Sequence, residues 1–357
     1  MPTTKHSVLG AILLVASTSH AALAQHAPAA TTTDDATLVS STSDTSSALL
    51  PEQIIQQTQI VSTTVTNHLT NLQAGRALEN TQVAGAPMSG VSAGENIEPL
   101  GQNVNAWVSY SHNETENDAP GIAYDADTDS VSVGLDFILG GPITVGFFVS
   151  QAWTDTSSAF NGGGSDTDST TFGPYLSVAI TDWLSLDASY AHTSSTTDNR
   201  RVTAAGVTVT GTQDGMTNYY SFGAGLSHWF EGGIGVSGRL GYNNSNTKND
   251  AYTDSAATVI ASSKSNLAQL QVGGRVMYYT QNFMPYIGAT YINDVKRDKV
   301  RTAANPQPAN DEDDVLLQAG VSLFGDTAFS GGLDVSYNAA REENDAWGIG
   351  GNVSYRF

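Results

Sequence analysis

The stretch Ala346–Phe357, AWGIGGNVSYRF, decides how this chain is read. Taken in steps of two, it puts Trp347, Ile349, Gly351, Val353, Tyr355 and Phe357 on one side. Ala346, Gly348, Gly350, Asn352, Ser354 and Arg356 fall on the other. Side chains alternate between the faces of a β-strand, so this is a strand with one apolar face and one small, polar face. Aromatics stand at both ends of the apolar row, as they do where a strand meets two water–lipid interfaces. From Trp347 on, about eleven residues at roughly 3.3 Å each, tilted by about 40°, rise about 28 Å, close to the ~25 Å apolar band of a membrane barrel. The chain ends on Phe357 itself. The stretch therefore predicts a barrel whose closing strand is the C-terminus.

Composition agrees with that reading and excludes others. After the N-terminus no run of about 20 apolar residues exists, which excludes transmembrane helices. Gly, Ser, Thr, Asp and Asn are abundant, and a barrel needs only one apolar residue in two. The formal net charge of −21 argues against nucleic acid as a partner. With no cysteine, disulfides, thiolate metal sites and cysteine nucleophiles are excluded together.

Residues 1–24 read as a secretory signal: Lys5 is the positive n-region, Val8–Ala16 the apolar h-region, and Ala22-Leu23-Ala24 a small-x-small cleavage site before Gln25. Residues 25–50 are Ala/Thr/Ser/Asp-rich, lack aromatics, and are expected to be disordered or surface-exposed. Pro51 suits the first turn of a helix over residues 51–75, with Ile54, Val61, Val65, Leu69 and Leu72 as its apolar positions and Gly75 as its terminator. Rich in Gln, Thr and Asn, such a helix is marginal alone in water and needs a sheath. Residues 76–102 read as an irregular linker, and 103–357 as the barrel.

Within 103–357, period-2 alternation recurs twelve times. Val104, Ala106, Val108 and Tyr110 mark the first strand, Val131, Val133, Leu135, Phe137 and Leu139 the second, and the C-terminal stretch the last. Tight, turn-prone joints such as Gly140-Gly141, Thr181-Asp182 and Glu231-Gly232-Gly233 follow the even strands. Long polar segments follow the odd ones: His112–Thr128, Thr154–Ser169, Thr193–Gly215, Asn243–Ser263 and Asn293–Asp313. An even strand count with all long connections at one end is the pattern of an antiparallel up-and-down membrane barrel. Twelve strands about 4.8 Å apart give a backbone radius of roughly 12 Å, which leaves a lumen about one helix wide. The inward positions are mostly Ser, Gly, Thr, Asn and Asp, with Arg239, Arg275 and Arg356 set against Asp136, Asp187 and Asp334.

The twelve-strand region, the preceding helix and the terminal NVSYRF together resemble the C-terminal translocator domain of monomeric autotransporters of Gram-negative bacteria. That resemblance implies outer-membrane localisation and a lumenal helix, with the segment upstream of it exported or displayed at the cell surface. It also implies recognition of Val353, Tyr355 and Phe357 by the barrel assembly machinery, with periplasmic chaperones and lipopolysaccharide as further partners. The protein is expected to be monomeric and non-enzymatic, with no cofactor. Members of the family carry long passengers, whereas Gln25–Leu50 is too short for a folded domain. The rival reading is a diffusion pore with the helix outside the barrel and the arginines facing the carboxylates across open water. Adhesion through long acidic loops is compatible with either.

Other candidates weigh less. Asp125, Asp127 and Asp129 alternate like calcium ligands, but Ser130 stands where an EF-hand needs its glycine. Asp311, Glu312, Asp313 and Asp314 read as rim charge. His192 beside Ser194 and Ser195 has no GxSxG motif with it. Asn80 is a lone candidate for self-cleavage.

Overall fold

In the computed structural model, the residues described are 37–39, 43–80, 104–139, 142–280, 283–302, 312–324 and 328–357. The secretory signal, most of the segment before the helix and residues 81–102 of the linker lie outside them. Twelve strands form the wall: β1 (Val104–Asn117), β2 (Tyr124–Ile138), β3 (Ile143–Ser158), β4 (Gly163–Ala179), β5 (Leu184–Val202) and β6 (Thr208–Trp229). They continue as β7 (Ile234–Asn249), β8 (Ser263–Tyr278), β9 (Phe283–Arg297), β10 (Asp313–Phe324), β11 (Phe329–Asn338) and β12 (Asn344–Arg356). Each pairs antiparallel with its neighbours in sequence, and the sheet closes where β12 pairs with β1, from Asn344 opposite Asn117 to Arg356 opposite Asn105. The Phe357 N–H adds a bond to the Val104 carbonyl, 3.0 Å, just past the seam. This is the closed, twelve-stranded barrel that the sequence predicts.

The outer face carries the apolar rows. Val133 is 50% exposed, Leu333 58% and Phe222 59%, values that mark a surface built for a medium other than water. Two aromatic girdles bound this belt. Tyr110, Trp153, Tyr220, Tyr242, Tyr337 and Trp347 lie on one side, and Phe137, Trp183, Phe283, Phe329 and Phe357 on the other. Along β12 and one residue past it, the ten steps from Trp347 to Phe357 span roughly 25 Å at a 40° tilt.

Beyond the first girdle the structure departs from the sequence reading. The segments read as long loops are mostly strand: the connections after β1, β3 and β5 are only residues 118–123, 159–162 and 203–207. Only those after β7 and β9, residues 250–262 and 298–312, remain long. Above the belt both faces of the strands are polar, so the hydrophobic period vanishes while the backbone ladder continues.

One helix, α1 (Thr45–Asn80), runs down the inside of the barrel. It begins six residues before Pro51, which sits inside it. Asp44 supplies the cap: its carboxylate accepts the Ser47 N–H at 3.2 Å, satisfying a donor that the helix leaves open. Residues 45–50, in the segment expected to be disordered or exposed, are helical instead, and all but the half-buried Ser47 are buried. Ala48 and Leu49 pack on Ala119, Ile122, Tyr124 and Ala126 at the open ends of β1 and β2. The backbone continues helical through Gly75 to Asn80. Upstream, Thr37–Val39 pairs in parallel with Val300–Thr302 of the connection after β9. The helix therefore enters at the end of the barrel where the odd strands finish, termed the loop end below. The reading that puts the helix outside the barrel is overturned.

Candidate functional site

The lumen is the site, and polar side chains of the helix meet it at successive depths. At the loop end the Asn161 amide donates to Thr45 Oγ1 (2.9 Å), the Ser46 N–H to Asn199 (3.1 Å), and the Tyr252 hydroxyl to Asp44 (2.6 Å). Lower down, Gln56 donates to Thr115 (2.9 Å), Thr58 pairs with Ser245 (2.7 Å), and Gln59 donates to Asn338 (2.7 Å). The Asn243 amide donates to Ser62 Oγ, 3.0 Å, while its oxygen accepts from Tyr219. Partners on β1, β5, β7 and β11 surround the helix, which explains how a segment this polar is stably buried: its amides and hydroxyls exchange water for barrel partners.

Near the turn end the contact is more elaborate. His68 is the one ionisable side chain between Glu52 and Arg76. Its Nε2 lies 3.0 Å from the Asp136 carboxylate, and its ring stacks on Trp107 with centroids 4.7 Å apart. Asp136 is 1% exposed and also accepts from the Asn105 amide, 2.8 Å, and from the Tyr175 hydroxyl. Trp107 Nε1 donates to that same hydroxyl, 2.9 Å. Val65 and Leu69 of the helix pack against Trp107, Phe148, Tyr175 and Tyr219, forming the apolar part of the plug.

These inward aromatics are what the sequence reading left out. It described the inner wall as small and polar, apart from three arginines. Each ring needs room, and the neighbouring strand supplies it: Trp107 pairs with Gly134 and Tyr175 with Gly146, where any Cβ would strike the ring. The signal was present, because the alternation that turns Ala106 and Val108 outward turns Trp107 inward.

The six lumenal candidates do not form one cluster. Arg239 makes two 2.6 Å bonds to Asp187, reaching across β6 over Gly223, whose hydrogen side chain leaves space for the pair. Arg275 instead donates to Asn71 (3.3 Å) and Asn67 (3.2 Å) of the helix and lies 4.0 Å over the Tyr286 ring. Asp136 meets His68, and Asp334 lines a cavity beside the helix. Arg356 stands at the turn end of β12, half-buried and opposite Asn105. Val353, Tyr355 and Phe357 point outward, with Tyr355 packed on Phe329 at 4.7 Å and on Phe357 at 4.9 Å.

Two loop-end features were read differently from sequence. Of the acidic run after Asn310, Asp311 lies outside the described residues and Asp314 is buried, not rim charge. It turns inward on β10 and meets Arg341 at 3.3 Å and the Asn338 amide at 2.5 Å. Arg341 also binds Asp294 at 2.9 Å. Burial opposes the charge of Arg341, but the two carboxylates outweigh it and hold the guanidinium above its ordinary range. Asp125, Asp127 and Asp129 lie in β2, not in a loop, on its outer face; Asp129 accepts from Tyr110 (2.6 Å) and bonds His112 (3.0 Å).

Over the helix entrance, residues 250–262 fold back as a small hairpin anchored by Asp254. Burial alone would raise this carboxyl. The N–H groups of Thr258 and Ala256 and the guanidinium of Arg201 outweigh burial and hold it below the usual carboxylate range.

A closed twelve-strand barrel, belted by apolar and aromatic side chains and threaded by its own upstream helix, defines a translocator-type barrel. The sequence profile of the autotransporter beta-domain matches residues 106–338, and the chain belongs to that family. Among solved structures it is similar to the translocator domain of NalP from Neisseria meningitidis, with a TM-score of 0.63 and 13% identity over 73% of this chain and 91% of that one. The beta domain of the Bordetella autotransporter BrkA gives 0.61 and 15% over 71% and 100%. The transport unit of AIDA-I from Escherichia coli gives 0.54 and 14% over 80% and 99%. No curated protein sequence matches the chain. At these identities the likeness is one of fold.

Proposed function

We propose that this barrel inserts in the Gram-negative outer membrane and carries the chain upstream of α1 through its lumen to the cell surface. The carrying observation is that the helix occupies the lumen with its N-terminus at the loop end, where Thr37–Val39 pairs with a loop. A chain in that position has passed along the whole barrel. Residues 1–24 serve as a cleaved export signal, residues 81–103 link helix to barrel, and the protein works as a monomer without chemistry of its own. The outward Val353, Tyr355 and Phe357 serve as the surface read by the barrel assembly machinery after periplasmic chaperones deliver the chain. Lipopolysaccharide meets the loop-end girdle. Proteolysis of intact cells with an epitope tag placed between Gln25 and Ser40 tests the topology. Cleavage of the tag without loss of the barrel is the expected result, and a protected tag would put that segment in the periplasm and remove the export reading.

A further inference from the structure

A charge taken out of water is costly unless an opposite charge meets it. Four arginines whose side chains are 15% exposed or less obey that rule. Arg201 meets Asp254, Arg239 meets Asp187, Arg297 meets Asp294, and Arg341 meets Asp294 and Asp314. Arg275 does not. It is 8% exposed, its guanidinium donates to Asn67 and Asn71 and lies over the Tyr286 ring, and no carboxylate among the described residues stands at ion-pair distance from it. By register the inward Asp334 of β11 stands two strands beyond Tyr286, across Gly320 of β10. Arg275 lines a small cavity of about 50 Å³ between the wall and the helix, roughly three to five times what one water needs. Ser227, Ser237 and Arg275 stand side by side on β6, β7 and β8, in a row that continues through Gly288 to Gln318 of β10. Asn67, Thr70 and Gln73 of the helix face them across the cavity. Ser227 is 8% exposed, and its hydroxyl has no hydrogen-bond partner among the described residues; nor has the buried amide nitrogen of Gln73.

We infer that this cavity binds a small oxyanion, of the class of phosphate, sulfate or a carboxylate, which supplies the counter-charge that the fold withholds from Arg275. The guanidinium has N–H groups to spare after serving the two asparagines, and the Ser227 hydroxyl and the Gln73 amide add donors. Arg239 also lines the cavity, with its charge committed to Asp187, and no carboxylate belongs to the lining to repel an anion. The site lies between inner wall and helix, so its ligand is a free anion and not the headgroup of a lipid on the belt. Held by Arg275 and Ser227 on one side and by Gln73 on the other, the anion fastens helix to wall. Because the helix completes the site, binding stabilises the seated state. The inference needs the seated helix and not the export reading, so either can fail alone.

The full chain, refolded in detergent micelles and checked by its heat-dependent mobility in gels, is dialysed against radiolabelled inorganic phosphate at an ionic strength held constant with sodium chloride. Saturable binding of one phosphate per chain is expected, with competition by sulfate. Phosphate should also raise the unfolding temperature at that fixed ionic strength, which separates binding from the screening of surface charge. Arg275→Gln should weaken binding by about tenfold or more and abolish the rise. Arg356→Gln, which removes a turn-end charge outside the cavity, should change neither. Should Arg275→Gln not fold, Ser227→Ala with Gln73→Met keeps the cation, removes two donors and should still weaken binding several-fold. A parent protein with no saturable phosphate binding would overturn the inference and leave the cavity to water. So would binding of undiminished strength in Arg275→Gln or, where that variant does not fold, in the double variant.

Discussion

Asp136 shows what one residue does here and how far its role was readable. Alternation alone turned it inward from β2, so its position was legible. Its partners were not, because they come from three separate elements: His68 from the helix, Asn105 from β1, Tyr175 from β4, and Trp107, also of β1, indirectly through Tyr175. Sequence spacing carries no information about which inward side chains of a barrel meet across it. Asp136→Ala removes the shared acceptor and strands buried donors on three elements, a loss of roughly 2–4 kcal/mol in barrel stability. Asp136→Asn keeps one acceptor oxygen and should lose less. Thermal unfolding in detergent micelles ranks the three proteins. An alanine variant as stable as the parent would mean that the network is replaced by water at no cost.

At the level of elements, the helix and the strands were legible to different degrees and for different reasons. The strands announced themselves wherever one face met the apolar belt. Beyond it, as along Thr154–Ser158 and Thr193–Val202, paired strand and polar loop have the same composition, and only the ladder tells them apart. The helix was recognised from its apolar positions, but its start was misplaced because Pro51 resembles a first-turn residue, while Asp44 is the cap. A helix this rich in Thr, Val and Asn has little intrinsic propensity, and its order comes from the lumen. A synthetic peptide of residues 45–80 should therefore be mostly unfolded in buffer by circular dichroism; a helix already formed there would show that the barrel receives a finished plug.

The hairpin over the helix entrance carries a pH dependence of defined sign. The Asp254 carboxyl is held below its unfolded value, so the folded form binds fewer protons than the unfolded one as pH falls through the ordinary carboxylate range near 4. Its contribution is complete above that range and is lost below it, as protonation frees Arg201. Hydrogen exchange of the Ala256 and Thr258 amides should rise, relative to the acid-slowed intrinsic rate, on acidification. In Asp254→Ala, which removes the acceptor oxygens, they should be unprotected at all pH values. Protection that is insensitive both to acid and to the substitution would assign the hairpin's order to its backbone alone.

For the whole molecule, a net charge of −21 says nothing about where the charge sits, and the register answers that. Glu114 pairs with Asp127, Asp127 with Asp155, Asp155 with Asp166 and Asp166 with Asp198, so five carboxylates stand side by side on β1 to β5. All lie on the outer face beyond the loop-end girdle. Like charges directly opposite on paired strands are destabilising, by up to about 1 kcal/mol each. Neighbouring strands are about 4.8 Å apart, inside the ~10 Å Debye length at 0.1 M salt but beyond the ~3 Å at 1 M. The barrel's closure thus works against its own surface at low ionic strength, with the ladder and the apolar belt holding the strands together. Raising NaCl from 0.1 to 1 M should raise the unfolding temperature of the micelle-bound barrel. Asp155→Asn with Asp166→Asn, at the centre of the row, should raise it at low salt and flatten the salt dependence, whereas neutralising Asp182, at the turn end and away from the row, should not flatten it. If the double variant keeps the parent's salt dependence, the repulsion is already relieved in the native protein, and the row is not what limits its stability.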